Sequence, residues 1–160
     1  MTGNKGEQQL DILVKKEKIF DNIVAVSGTK KEAIRTISRL CAKQTLLDAT
    51  QLEEAFWKRE EWDSTGCGEG IAIPHAIIKE IDEVQLFIVR FRYPIEWESF
   101  DDKKVDIAFA IIAPEEKGQE KYLVFLSRLA RKLVDEKFVA DFRNCRSTEA
   151  VYQYIKNEFE

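Results

Sequence analysis

The chain has 160 residues, 44% of them hydrophobic and 34% charged, enough apolar material for one folded core and too much for a disordered chain. Its 29 acidic and 25 basic residues give a net charge of −4 with no basic stripe, so nucleic acid is not an expected partner. The longest apolar run, Ile107 to Pro114, falls far short of the roughly 20 residues that cross a bilayer, and Met1-Thr2-Gly3-Asn4-Lys5 lacks a signal-peptide core; the expectation is a cytoplasmic protein without direct membrane insertion.

Residues 1–9 are polar and aperiodic and read as a flexible terminus; residues 10–160 read as a single domain. Thr29 and Glu32 form a capping box ahead of Ala33, Ile34, Ile37, Leu40 and Cys41, which predicts a helix to about Gln44. Asp48 and Gln51 open a second, with Leu52, Ala55, Phe56 and Arg59 at helical spacing. Three glycines at alternate positions in Ser64-Thr65-Gly66-Cys67-Gly68-Glu69-Gly70 then forbid a helix and predict a shaped loop. Ile71-Ala72-Ile73 is a short apolar run stopped by Pro74.

Val84 to Tyr93 and Val105 to Ala113 read as central strands, the second covered on both faces. Glu120 to Leu133 has the helical period, and Phe138, Phe142, then Val151, Tyr152, Ile155 and Phe159 predict two more helices, the last capped by Ser147. Helices, then strands, then helices imply an α/β fold, a three-layer α/β/α sandwich with a small mixed sheet.

Cys41, Cys67 and Cys145 are odd in number and far apart, which fits reduced thiols. With one histidine in the chain, a structural zinc site has almost no ligands, and neither metal nor cofactor is expected. The acidic pairs Asp101-Asp102 and Glu115-Glu116 read as solvated turn charges, and Cys67 as either a reactive thiol or the filler of a small apolar niche.

Chemistry concentrates between Arg59 and His75. A nucleophilic imidazole must be neutral, held in one tautomer and close to groups that stabilise phosphoryl oxygens. His75 is the candidate nucleophile; Arg59 offers a charge-assisted fork, Thr65 a hydroxyl, and the glycine loop backbone N–H groups for an anion. Each has an ordinary alternative: a loop histidine, an arginine serving its own helix end, a turn.

Arg59-Glu60 followed by Ser64-Thr65-Gly66-Cys67-Gly68-Glu69-Gly70-Ile71-Ala72-Ile73-Pro74-His75 closely resembles the signature of the fructose/mannitol/nitrogen-type enzyme IIA domains of the bacterial phosphotransferase system. The resemblance spans about Leu10 to Ile155 and implies that His75 is phosphorylated by the phosphocarrier HPr. It further implies transfer to a cysteine of a sugar-specific IIB component, with a membrane IIC component beyond it. Arg59, sixteen positions before His75, matches the family arginine beside the histidine, and Thr65 matches the loop lining the pocket. Tyr122 stands where a second histidine is common, Cys67 and Glu69 where isoleucine and asparagine are frequent, and Ala76 where glycine is usual. A phenol there can donate one hydrogen bond to a phosphoryl oxygen but carries no imidazolium charge. The alternative within the family is a nitrogen-type regulatory protein whose His75 phosphorylation state controls partners without moving sugar. A third reading is a degenerate domain that binds partners without turnover, which Tyr122 alone supports.

Overall fold

The computed structural model describes residues 15–115 and 119–159. The reading of residues 1–9 as a flexible terminus, the start of order at Leu10 and the Glu116 half of one acidic pair lie outside them. Strand β1 (Ile19–Ile23) leads through a short 3₁₀ turn to helices α1 (Lys30–Thr45) and α2 (Ala49–Trp62). Strands β2 (Gly66–Gly68), β3 (Ile71–Ala72), β4 (His75–Ile78), β5 (Gln85–Ile95) and β6 (Val105–Pro114) follow, and α3 (Gln119–Leu133), α4 (Glu136–Arg143) and α5 (Thr148–Phe159) close the chain.

Helix starts are where the polar caps put them. The Glu32 N–H donates to Thr29 Oγ1 at 3.2 Å, the Gln51 N–H to Asp48 Oδ2 at 3.0 Å and the Ala150 N–H to Ser147 Oγ at 3.0 Å, each satisfying a donor that the helix leaves orphaned. Helix α4 starts the same way, with Asp135 accepting from the N–H groups of Lys137 and Phe138.

The sheet is mixed, in the order β1-β5-β6-β3-β2, with β4 also on β6. Strand β6 runs antiparallel to β5 and parallel to β3 and β4, and β1 is parallel to β5. Successive residues of β5 and β6 face opposite cores. Leu86, Ile88, Ile107, Phe109 and Ile111 join Phe125, Leu129, Phe138, Phe142 and Ile155 of α3, α4 and α5 on one side. Phe87, Val89, Ala108, Ala110 and Ile112 join Ile34, Ile37, Cys41, Leu52 and Phe56 of α1 and α2 on the other. This is the three-layer sandwich the element order implies. Covering both faces also explains why β6 reads as an unbroken apolar run.

The feature that places the site is a break in one strand. Ile71 pairs with Ile107 and His75 with Ile111, so β3 and β4 keep one register on β6 across Ile73-Pro74. Pro74 has no N–H, but its carbonyl still accepts from the Ile111 N–H at 2.9 Å, while the Ile73 N–H turns to the Thr65 carbonyl at 2.9 Å. Pro74 was expected to end the run at Ile73; the strand resumes at His75, because the carbonyl side of the ladder survives proline.

Candidate functional site

His75 is the first residue of β4, half-buried. Its Nδ1 lies 2.9 Å from the Ile73 carbonyl oxygen, two residues back across the proline. A carbonyl only accepts, so in the neutral ring Nδ1 carries the proton and Nε2 keeps a lone pair. Burial pushes the imidazole pKa below its ordinary value; the Ile73 carbonyl and the Glu60 charge oppose that, and the Arg59 cation reinforces it. The ring is therefore neutral at neutral pH, in one tautomer, with Nε2 available as a nucleophile.

Two of the three other candidates flank it. The Tyr122 ring, near the start of α3, stands 6.1 Å from the His75 ring centroid, tilted by 53°. Tyr122 is only 6% exposed, and burial raises its phenol pKa, so the group is a neutral hydrogen-bond donor. Arg59 acts on both rings electrostatically, yet one of its nitrogens donates to the Asp63 carbonyl at 2.6 Å and its guanidinium lies over the Trp62 ring at 5.2 Å. It thus serves the C-terminal end of α2, with the rest of its donor fork outside those two contacts.

Thr65 is placed differently. It is buried, and its hydroxyl donates to Glu60 Oε2 at 2.6 Å while its N–H donates to Glu60 Oε1 at 2.9 Å. The hydroxyl proton expected to face phosphate is committed to a carboxylate.

The glycine loop is shaped by close packing. A Cβ at Gly66 would run into the Glu98 carbonyl, and Gly68, at φ +86°, holds its bare Cα against the Phe100 ring. The Glu69 N–H donates to Asp101 Oδ2 at 2.8 Å and the Gly66 N–H to Ser64 Oγ at 3.2 Å, so the anion this backbone serves is the protein's own Asp101. The Glu69 N–H, helped by Ser99, pulls the Asp101 carboxyl down to about 2. Burial pushes the Cys67 thiol up to about 11, which favours the apolar-niche reading over a reactive thiolate.

Glu60 is the residue that pattern reasoning passed over. Its side chain is fully buried and accepts from Lys30 Nζ (3.0 Å) and Trp97 Nε1 (3.0 Å) besides the two groups of Thr65. Lys30 in turn bonds the exposed Glu98 and sits over the rings of Trp57 and Trp97. Leu52, Phe56 and Glu60 recur every four residues, so the spacing alone marks Glu60 as facing inward.

Among the described residues there is no cluster of three or more His, Cys, Asp or Glu side chains able to hold a metal, and no helix long and apolar enough to cross a membrane. A groove of about 710 Å³ lies beside the site, with Ala55, Arg59, Ile77 and Ile78 in its walls and Trp62, 81% exposed, at its lip.

A neutral histidine held in one tautomer at a strand break, with an arginine and a phenol near it, can act through Nε2 as a nucleophile toward phosphorus. Residues 12–158 match the family described as phosphoenolpyruvate-dependent sugar phosphotransferase system, EIIA 2, and the chain belongs to that family. It is 35% identical over 157 residues to the nitrogen regulatory protein of Escherichia coli K12, covering 97% of this chain and 94% of the relative. The nitrogen regulatory protein IIA-Ntr of Neisseria meningitidis superposes with a TM-score of 0.83 at 25% identity, over 91% of this chain and 98% of its own. The mannitol IIA protein of Escherichia coli shares the fold, with a TM-score of 0.69 at 21% identity over 88% of this chain and 97% of its own.

Proposed function

We propose that this chain is a nitrogen-type regulatory IIA protein: His75 takes a phosphoryl group from an HPr-type phosphocarrier, and the presence of that group decides which partner proteins the chain engages. The carrying observation is the hydrogen bond from Nδ1 to Ile73, which leaves Nε2 bare. The regulatory branch is supported by curated relatives covering nearly the whole chain that bear the name nitrogen regulatory protein. The sugar-specific reading has less behind it, since the mannitol IIA likeness extends to the fold alone.

In this mechanism Nε2 attacks phosphorus in line. The Nε2–P bond forms as the P–N bond to the donor's histidine breaks, and the electron pair of the broken bond returns to the donor ring. Phosphorylation puts positive charge on the His75 ring, which strengthens the Nδ1–H bond to Ile73. Free N–H groups of Arg59 and the Tyr122 phenol face the equatorial oxygens; Thr65 contributes by holding the loop. The half-exposed Ile77 and exposed Trp62 give partners an apolar rim for brief docking.

A second reading, transfer onward to a IIB cysteine, draws on 30% identity over 162 residues to the multiphosphoryl transfer protein of Escherichia coli O6:H1, of which the match covers 19%. Mixing phosphorylated protein with purified IIB domains separates the two. Retention of the label, together with partner capture that differs between the His75 forms, supports regulation; rapid loss of label to a IIB cysteine supports the sugar route.

A further inference from the structure

We propose that Glu60 is the positioning residue for His75, its buried carboxylate setting the nucleophile's tautomer and ring orientation through Thr65 and Ile73. This rests on His75 being the phosphoryl acceptor, and it adds a cause for the geometry that makes it one.

The connection is a chain of hydrogen bonds. The two oxygens of Glu60 fix Thr65 by its N–H and its hydroxyl at 2.9 and 2.6 Å. The Thr65 carbonyl, in the next peptide unit, accepts from the Ile73 N–H at 2.9 Å. With the Ile73 N–H held there and the Pro74 carbonyl held by the Ile111 N–H, the peptide unit between them is restrained on both sides, and its Ile73 carbonyl receives His75 Nδ1 at 2.9 Å. Proline at 74 removes the ladder bond that would otherwise anchor this stretch, so Thr65 supplies the missing restraint and Glu60 holds Thr65.

The chemistry of the hub requires an acceptor oxygen, and a carboxylate adds the charge that balances Lys30. Lys30 Nζ, the Thr65 N–H and Trp97 Nε1 are donors without acceptor capacity, and three of them converge on Oε1. An apolar side chain of like size could fill the space, but it would strand these buried donors and release Thr65. The charged and titratable groups acting on the ring are Arg59 and Glu60 of α2 and, from α3, Tyr122 in ring contact. Glu60 alone among them favours a protonated ring, so neutralising it acts on His75 electrostatically as well as through the relay.

Glu60→Gln keeps size and lets the Thr65 hydroxyl rotate to accept, so folding can be checked by thermal melting while His75 is read by ¹⁵N-edited NMR. Expected in Glu60→Gln are a ring midpoint below the wild-type value, appearance of the second neutral tautomer, and labelling by an HPr-type phosphodonor slowed about tenfold or more. Thr65→Val, which cuts only the hydroxyl link, should show the same tautomer mixing to a smaller extent, and it decides the matter if Glu60→Gln does not fold. A folded Glu60→Gln, or failing that Thr65→Val, with the wild-type tautomer and midpoint overturns the proposal. Wild-type protein that accepts no label sinks the phosphocarrier reading instead, and the NMR result still tests the relay.

Discussion

His75 and Ile73 are joined by a hydrogen bond from ring to backbone that spans a proline, 2.9 Å from Nδ1 to the carbonyl oxygen. The bond ties the protonation state of a side chain to the path of the main chain, since a carbonyl tolerates only the N–H form of Nδ1. The consequences are open to measurement because the chain contains one histidine.

The imidazole should titrate below about 6.5, the ordinary histidine value, because burial lowers its pKa. The unfolded chain then binds more protons than the folded one between the two values. Stability contributed by this group is complete above about 6.5 and declines as pH falls toward the folded midpoint. NMR titration of the untagged protein gives the midpoint directly, and a value above 6.5 would show that the Ile73 carbonyl and Glu60 outweigh burial.

Replacing Arg59 by Ala should slow phosphoryl transfer to His75 by roughly 10² or more if the guanidinium meets charge in the transition state. Its bond to the Asp63 carbonyl predicts a small concurrent stability loss, typically about 1 kcal/mol, for a C-terminal contact of this kind. Rapid-quench labelling beside urea unfolding separates the two, and an unchanged rate assigns Arg59 to the helix end.

Tyr122→Phe removes one neutral donor near His75, worth about 1 kcal/mol or roughly a fivefold loss in rate. Tyr122→His should instead speed labelling where the phosphoryl charge holds the new ring protonated against burial, because an imidazolium brings charge that a phenol lacks. If neither variant changes the labelling rate, Tyr122 contributes packing alone.

Gly66→Ala should destabilise the fold by about 1–3 kcal/mol, since the new methyl meets the Glu98 backbone carbonyl and a backbone atom cannot swing aside. Urea midpoints measure this, and a wild-type midpoint would show that the loop after β5 yields freely.

Much of this was legible from residue order alone. Thr29, Asp48 and Ser147 cap helices where they stand, and Val105–Pro114 declares itself as a doubly covered strand. His75 was found by motif. Strands β2, β3 and β4 have two to four residues each, and such strands are defined by their partners on β6 and on each other, which no local pattern encodes. The spacing turns Glu60 inward, but what a carboxylate does there is unreadable until its donors are seen, and they come from positions 30, 65 and 97. Thr65 was assigned to phosphate for the same reason: its partner could not be known before the fold brought Glu60 to it.

The most direct measurement is the site of attachment on the phosphorylated protein. After labelling with phosphoenolpyruvate, enzyme I and an HPr-type carrier, ³¹P–¹H correlation should place one phosphoryl group on Nε2 of His75, with Nδ1 still protonated, and none in His75→Ala. Phosphate on Nδ1, on another residue, or no phosphate at all would contradict the account.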